Sequence, residues 1–188
     1  MSAIETDRLV LRNWREEDRQ AFFDMNSDPE VMRFFERTRS RTEADALLDR
    51  FAEEIDRDGY GFWAVELRSA GQVIGFTGLR DIEFDAPFTP SLEIGWRLLT
   101  AHWGNGYASE AASACLAYGF EQMGLAEIVS FAVTQNWASR RVMERIGMRR
   151  EPENDFDHPH VAPGSPLARH AFYRLTAADW RHKESHSS

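Results

Sequence analysis

The segment from Leu92 to Ala112 joins three local structures in series and so restricts the folds open to the chain. Leu92 to Leu99 is a strand-like run, a short turn holding Gly104 and Gly106 follows, and Ala-rich sequence without proline then predicts a helix. Glycine can adopt positive φ and places no Cβ in the way of a ligand. The first N–H groups of a helix lack intrahelical acceptors and lie at the positive end of its dipole. The segment therefore predicts a loop that holds a phosphate or pyrophosphate through main-chain donors.

Two widespread nucleotide loops do not match this segment. The chain has no G-x-x-x-x-G-K-[ST] sequence, so a P-loop is not supported. Gly106 is followed by Tyr107, Ala108 and Ser109, so the last glycine of G-x-G-x-x-G is missing. A Rossmann or kinase-type loop is therefore not supported either.

The loop resembles the pyrophosphate loop of the GNAT superfamily of acyl-CoA N-acyltransferases, whose pattern is Gln/Arg-x-x-Gly-x-Gly/Ala. Trp103 departs from the start of that pattern, as in the RimJ/RimL-type branch, where W-G-x-G-Y-A-[ST]-E-A recurs. The nine residues from Trp103 to Ala111 match this branch motif. T-D-R-L-x-L-R from Thr6 and D-P-E-V-M-R-F from Asp28 are similar to the same branch.

The resemblance implies an α/β (α+β) fold built as one domain. Length and an apolar content of 43% agree with a single packed domain over residues 1–188, with a core from about residue 6 to 176. The family's sheet is mixed and mostly antiparallel, with about seven strands flanked by helices. Its central strands, here Leu92 to Leu99 and Glu127 to Val133, would part to admit acetyl-CoA.

Acetyl-CoA is the co-substrate that the resemblance implies, and no metal is expected. Main-chain groups of the central strand would pair with pantetheine, and the glycine loop would hold the pyrophosphate. The residues expected to bind the cofactor are Arg97, Leu98, Leu99, Trp103, Gly104, Asn105, Gly106, Tyr107, Ala108, Ser109 and Asn136.

Glu93 is the candidate general base. It lies on the strand that leads into the glycine loop, at a spacing similar to that of the general-base glutamate in some GNAT branches. A partly desolvated carboxylate there has a raised pKa and can accept a proton through water. The alternative is that Glu93 is an outward-facing strand residue or a partner for Arg97.

Asn136 and Ser139 begin a predicted helix in a segment similar to the GNAT motif N-x-x-[AS]-x-x-x-[YL]-x-x-x-G-F. The resemblance implies that Asn136 bonds the pantetheine region and that Ser139 lies near the thioester sulfur as a catalytic residue. Met143 occupies the place where other members have a general-acid tyrosine. The alternative is that both polar residues only cap the helix.

Charge and composition limit the partners. A net charge of −9 and a pI near 5.2 argue against a nucleic-acid-binding surface and favour a cationic amine. No apolar run approaches the ~20 residues of a membrane span, and the polar N-terminus does not resemble a signal peptide. Cys115 is the single cysteine, which favours a buried small hydrophobe in a cytoplasmic protein.

The remaining elements follow from periodicity and from turn signals. The expected strands are Ile4–Trp14, a hairpin of Tyr60–Leu67 with Val73–Leu79, Glu127–Val133 and Arg169–Leu175. The expected helices begin at Glu16, Pro29, Thr42, Tyr107 and Asn136, and a frayed tail follows the last strand. Three loops are expected to contact the acceptor: Met32–Arg41, Asp81–Ser91 and Glu151–Ser165.

The expected function is acetyl transfer from acetyl-CoA to a primary amine by direct attack in a ternary complex, with a protein N-terminal amine as one acceptor. One alternative is an acetyltransferase for an aminoglycoside, amino acid or polyamine, and another is a non-catalytic CoA-binding regulatory domain. The expected oligomeric state is a monomer or a homodimer. Asp155, Asp157, His158 and His160 are metal-ligand types, but their spacing matches no zinc motif and favours a solvated loop.

Overall fold

The computed structural model describes residues 3–184, so both ends of the predicted 1–188 domain lie outside it. Nine strands are present in this part of the chain: β1 (Ile4–Glu5), β2 (Leu9–Arg12), β3 (Phe62–Leu67), β4 (Gln72–Asp81), β5 (Leu92–Leu98), β6 (Glu127–Val133), β7 (Arg149–Arg150), β8 (Phe156–Asp157) and β9 (Arg169–Thr176). The α-helices are α1 (Arg19–Ser27), α2 (Arg41–Asp58), α3 (Tyr107–Ala117), α4 (Trp137–Arg145) and α5 (Ala177–Glu184).

The strands follow the hydrogen-bonded order β1-β2-β3-β4-β5-β6-β9-β7, and β8 pairs with β9. Strands β5 and β6 are parallel, whereas the β1–β2, β2–β3, β3–β4, β6–β9, β7–β9 and β8–β9 pairs are antiparallel. The predicted α/β fold with a mixed, mostly antiparallel sheet is therefore confirmed. The strand number is larger than the predicted seven because β1, β7 and β8 have two residues each, which is too short for a visible alternation.

The chain divides into two compact units. The first contains the residues up to Arg80 together with Gly95–Cys115, and the second contains Asp81–Ile94 together with the residues from Leu116 onward. Strand β5 and helix α3 each contribute residues to both units. Whether the chain is one folding domain stays a prediction.

The first unit is built on the sheet from β1 to β4. Leu9 and Leu11 alternate inward from β2 and are fully buried, as the sequence predicts. Helix α2 packs on β3. The core is rich in aromatic residues, which bury large apolar areas and pack edge to face. Its ring contacts join Trp14, Phe22, Phe51, Phe62 and Phe76.

The second unit is built on the long antiparallel pair of β6 and β9. All seven residues of β6 pair with β9, from Glu127 with Thr176 to Val133 with His170. The parallel ladder between β5 and β6 is short by comparison: it joins Leu92 to Ile128 and Glu93 to Val129. Phe88, Val129 and Phe172 form a buried cluster on this sheet.

Three predicted elements differ from the structure at the N-terminal end. Ile4–Trp14 is a hairpin of two strands, because Thr6 exchanges hydrogen bonds with Leu9 and turns the chain. The segment from Pro29, where a helix is expected, forms a series of turns and not a regular α-helix. Helix α2 begins at Arg41, one residue earlier than expected, because Ser40 and Glu43 form a reciprocal capping box.

The expected frayed tail is wrong for the described residues. Helix α5 begins after Thr176, whose hydroxyl oxygen accepts a hydrogen bond from the Asp179 amide at 3.2 Å. Trp180 is buried and stacks on Phe120 at a centroid distance of 5.6 Å. The sequence T-x-x-D from Thr176 to Asp179 is a recognisable capping signal, whereas the sequence does not indicate that Trp180 stacks on Phe120.

Candidate active site

The glycine loop has the backbone conformation that the sequence predicts. Gly104 has φ of 76° and Gly106 has φ of 81°, and both values lie in the region that favours glycine. A Cβ added to Gly104 would meet no atom within 4 Å, so the space in front of the loop is open. The predicted positive-φ glycine loop is confirmed.

Six consecutive main-chain amides of this loop lack acceptors. The first helical hydrogen bond of α3 runs from the Glu110 amide to the Gly106 carbonyl at 3.0 Å. Within residues 3–184, the amides from Gly104 to Ser109 donate to no acceptor. These donors lie at the positive end of the α3 dipole, which favours an anion. The arrangement therefore fits a pyrophosphate group, as the chemistry of coenzyme A requires.

An ion pair between distant parts of the first unit holds the loop. Glu110 accepts hydrogen bonds from Thr6 Oγ1 at 2.6 Å, from the Arg8 amide at 3.0 Å and from Arg8 Nε at 2.6 Å. Arg8 also donates through Nη1 to the Asn105 carbonyl at 3.1 Å and lies 4.6 Å from the Tyr107 ring centroid. Burial opposes ionisation of Glu110, but the hydrogen bonds from Thr6 and Arg8 outweigh it and lower its pKa.

Sequence reasoning gave no role to Thr6, Arg8 or Glu110, although the first two lie in one quoted motif and the third in another. The coupling joins residues that are 102 to 104 positions apart. Spacing within one motif could not reveal it. We call this arrangement of Thr6, Arg8 and Glu110 the loop brace.

Trp103 supports the end of β5. Its Nε1 donates to the Leu98 carbonyl at 2.9 Å, although 42% of the residue's surface is exposed. The Leu99 amide donates to the Ile74 carbonyl at 2.9 Å. One of the main-chain donors expected to pair with pantetheine is therefore already used. The wider prediction that Arg97, Leu98 and Leu99 contact pantetheine stays a prediction.

Glu93 lies in the second unit at the start of β5. Its neighbours Leu92 and Ile94 are buried, while Glu93 is only partly buried, so it lies on the opposite face of the strand. Glu93 is opposite Val129 in the parallel ladder, and Ser130 Oγ donates to the Ile94 carbonyl at 2.9 Å. The strand position is therefore held firmly, and the role as a base stays a prediction.

Asn136 caps helix α4. Its Oδ1 accepts a hydrogen bond from the Ser139 amide at 3.2 Å, so the capping role expected of Asn136 is confirmed, whereas Ser139 contributes its amide to the cap and not its hydroxyl. Ser139 is partly exposed near the helix N-terminus, where the dipole favours a developing negative charge. Met143 is buried in the core. Cofactor binding by Asn136 and a catalytic role of Ser139 stay predictions.

Other reactive side chains have structural partners. Tyr173 is fully buried, accepts from Arg140 Nε at 3.1 Å and donates to Glu144 at 3.0 Å, and burial raises its pKa. Burial also raises the pKa of the Cys115 thiol to about 12, which confirms that it is a small buried hydrophobe. Asp155 forms an ion pair with Arg150 and accepts from the Phe172 amide at 3.0 Å.

His158 is packed against aromatic rings, whereas Asp157 and His160 of the same loop are exposed, as expected for a solvated loop. His158 lies 4.9 Å from the Phe84 ring and 5.0 Å from the His170 ring, measured between centroids. Burial first, and then the nearby His170 and His160, lower the pKa of His158 to about 4. Within the described residues, no group of three or more His, Cys, Asp or Glu side chains is arranged to hold a metal.

The fold and the loop define an α/β protein with a row of main-chain donors that fits a pyrophosphate. A family model described as "Acetyltransferase (GNAT) domain" matches residues 8–149, and the chain belongs to this family. It is an N-acetyltransferase that uses acetyl-CoA. In residues 3–184 we find no helix with the length and apolar character needed to span a bilayer.

Similar proteins agree with this assignment. The chain is 33% identical to the "Uncharacterized N-acetyltransferase YoaA" of Bacillus subtilis over 150 residues, which covers 79% of this chain and 83% of the relative. It is 31% identical to the "FsC-acetyl coenzyme A-N(2)-transacetylase" of Aspergillus fumigatus, with coverage of 94% and 77%. A solved GNAT-family acetyltransferase from Bacillus anthracis superposes with a TM-score of 0.78 at 27% identity, with coverage of 94% and 99%.

Proposed function

We propose that this protein acetylates a primary amine by direct attack on acetyl-CoA in a ternary complex. The observation that carries the proposal is the row of six amides without acceptors from Gly104 to Ser109 at the start of α3. These donors would hold the pyrophosphate, and Asn136 together with the main chain from Arg97 to Leu99 would contact pantetheine. Acetyl-CoA supplies an activated thioester carbonyl when bound.

Glu93 is proposed to remove a proton from the amine through a water molecule. An amine with a pKa near ~10 is almost wholly protonated at neutral pH, so it must lose a proton before it can attack. The partial burial of Glu93 between two buried strand residues supports this role, because such a carboxylate is held in place but still accessible to water. Ser139, near the N-terminus of α4, is proposed to stabilise the leaving thiolate.

Two acceptor classes are proposed, each with its own support. The RimJ/RimL-type loop motif favours a protein N-terminal amine. The 31% identity to a protein named as an acetyl coenzyme A-N(2)-transacetylase favours a small-molecule amine. The net charge of −9 is compatible with either, since both acceptors carry a cationic amine. A screen for thiol release with acetyl-CoA against N-terminal peptides and small amines distinguishes them.

Glu93→Gln tests the general base. The variant keeps the volume of the side chain but cannot accept a proton, so we expect the turnover number to fall by roughly 10²-fold at neutral pH and to recover partly at high pH. The measurement is the pH profile of kcat with the best acceptor from the screen. Glu121→Gln, an exposed change in the same unit, is the matched control. A wild-type profile for Glu93→Gln would exclude Glu93 as the base.

Ser139→Ala tests the second catalytic residue. Removal of the hydroxyl leaves the Asn136 cap intact, because the Ser139 amide is the group that the cap binds. We therefore expect kcat to fall by roughly 10-fold or more with a nearly unchanged melting temperature. An unchanged kcat would show that the hydroxyl takes no part. Acetyl-CoA binding without acetylation of any amine would instead favour a non-catalytic CoA-binding domain.

A further inference from the structure

Two arginines of the first unit, Arg39 and Arg97, are partly buried and have no carboxylate partner within the described residues. The Nε atom of each is buried and has no hydrogen-bond partner within the described residues. Arg97 donates through Nη1 to the Asn26 side-chain oxygen at 2.5 Å, and the Arg39 amide donates to the Asn26 carbonyl at 2.9 Å. Asn26 is fully buried, and it holds the Arg97 side chain and the Arg39 main chain at one position. We call Arg39, Arg97 and Asn26 the arginine cluster.

Within the described residues, no carboxylate forms an ion pair or hydrogen bond with Arg39 or Arg97. Burial first, and then the charge of Arg39, lower the pKa of Arg97 to about 9. Burial also lowers the pKa of Arg39, and Glu43 is the only carboxylate that opposes this. Glu43 is itself engaged by a two-pronged ion pair with Arg37. Two like charges that are desolvated together cost free energy unless an anion joins them.

The surroundings favour a small planar anion that enters from one side. The Arg97 guanidinium carbon lies 4.2 Å from the Phe35 ring centroid and 5.2 Å from the Phe76 centroid. Phe76 is buried, whereas Phe35 is 46% exposed and belongs to the irregular segment between α1 and α2. A ligand would enter the cluster on this side, beside the exposed Phe35. Guanidinium groups bind carboxylates in planar, two-pronged geometry.

We propose that the arginine cluster binds a carboxylate of the acceptor, so that the substrate is an amine that also carries a carboxylate. This inference rests on the proposed function, because it names the class of the amine that is acetylated. The cofactor phosphates have a separate set of donors in the glycine loop. The cluster also includes Arg39 from Met32–Arg41, one of the segments expected from the sequence to contact the acceptor.

The first experiment compares pairs of amines that differ only in that one carries a carboxylate and the other the corresponding carboxamide. Rates are calculated per concentration of the unprotonated amine, so that a difference in amine pKa does not affect the comparison. We expect wild-type kcat/KM to favour the carboxylate by at least 10-fold. Arg97→Met and Arg39→Met should each reduce this ratio to near one. Arg50→Met removes the same charge from nearby α2 without direct contact with the cluster, and it should keep the wild-type ratio.

The second experiment measures binding without turnover. Melting temperatures are recorded with sodium succinate, with inorganic phosphate and with sodium chloride at equal ionic strength. Succinate at about ten times its dissociation constant should raise the wild-type melting temperature by about 2 to 5 °C. The increase should vanish in Arg39→Met. Arg39 is partly exposed, so this variant still tests the proposal if Arg97→Met does not fold.

Each contrary result has a separate meaning. Acetylation of both members of each pair at equal efficiency, with no effect of succinate, overturns the carboxylate site and leaves the proposed function standing. A raised KM for acetyl-CoA in both arginine variants, together with stabilisation by phosphate in place of succinate, assigns the cluster to a cofactor phosphate and overturns the proposal. Acetylation of no amine overturns the proposed function and the acceptor class with it.

Discussion

At the glycine loop, single residues decide how closely an anion can approach the backbone. Gly104 and Gly106 both have positive φ, and within residues 3–184 the amides around them donate to no acceptor. A side chain at either position would strain the backbone and occupy the path of the ligand. Cys115 illustrates the opposite case, since its burial makes the thiol unreactive and leaves it a packing role only.

Gly106→Val should weaken acetyl-CoA binding by at least 10-fold, measured by calorimetry. The added Cβ would lie 3.6 Å from Arg8 Nη2, and the larger side chain would block the amides. Gly71→Val is the matched control, because Gly71 also has positive φ (63°) but lies in the exposed turn between β3 and β4. It should cost about 1 to 2 kcal/mol of stability and leave the affinity unchanged. Unchanged affinity in folded Gly106→Val protein would exclude the loop as the phosphate site.

At the scale of elements, the loop brace joins the β1–β2 hairpin to the start of α3. Glu110 accepts from the side chain of Thr6 and from both the main chain and side chain of Arg8. Arg8 in turn holds the Asn105 carbonyl, so the hairpin fixes the conformation of the glycine loop. Removal of this brace should therefore affect both stability and cofactor binding.

Glu110→Gln should lower the melting temperature by about 2 to 4 °C, equivalent to about 1 kcal/mol, and weaken acetyl-CoA binding several-fold. Because the pKa of Glu110 is lowered in the folded protein, its stabilisation is present at neutral pH and is lost as the pH falls through that lowered pKa. A double-mutant cycle with Arg8→Met should give a coupling of about 0.5 to 1 kcal/mol. Additive effects would show that the ion pair does not support the loop.

At the scale of the whole molecule, we expect the acid stability to depend on the partly buried His158 of the second unit. His158 contacts the aromatic rings of Phe84, Phe131 and Phe156 and faces His160 and His170. Its folded-state pKa of about 4 lies below the ordinary value of 6.5. The unfolded chain therefore binds more protons between these values, and stability falls as the pH decreases through 6.5 toward 4.

His158→Phe should make the protein less sensitive to acid. The wild-type protein should lose about 1 to 2 kcal/mol between pH 7 and pH 5 through His158, or about 2 to 6 °C of melting temperature. The variant should lack most of this loss, because phenylalanine fits the aromatic cluster and carries no titratable group. His102→Phe, a change outside this cluster, is the matched control. If the melting temperature falls equally between pH 7 and pH 5 in the wild type and in His158→Phe, His158 is not the source of the acid sensitivity.

Local features were readable from the sequence because their causes lie within a few residues. The strand, glycine loop and helix from Leu92 to Ala117 form where expected, as do β6 and the Asn136 cap. Side-chain periodicity, positive φ at glycine and hydrogen bonds to neighbouring amides decide these structures. The GNAT resemblance rested on the same short segments, and the family assignment confirms it.

Contacts between distant residues were decided only by the tertiary structure. The bond between Arg97 and Asn26 spans 71 positions, and the brace between Thr6 and Glu110 spans 104. No spacing rule relates such residues, because the fold brings them together through sheet pairing and helix packing. The burial of Arg97, the raised pKa of Cys115 and the lowered pKa of His158 depend on the same packing. The sequence alone therefore determined the glycine loop and the family, whereas the tertiary structure decided which charged side chains are desolvated, since desolvation is a property of the packed chain.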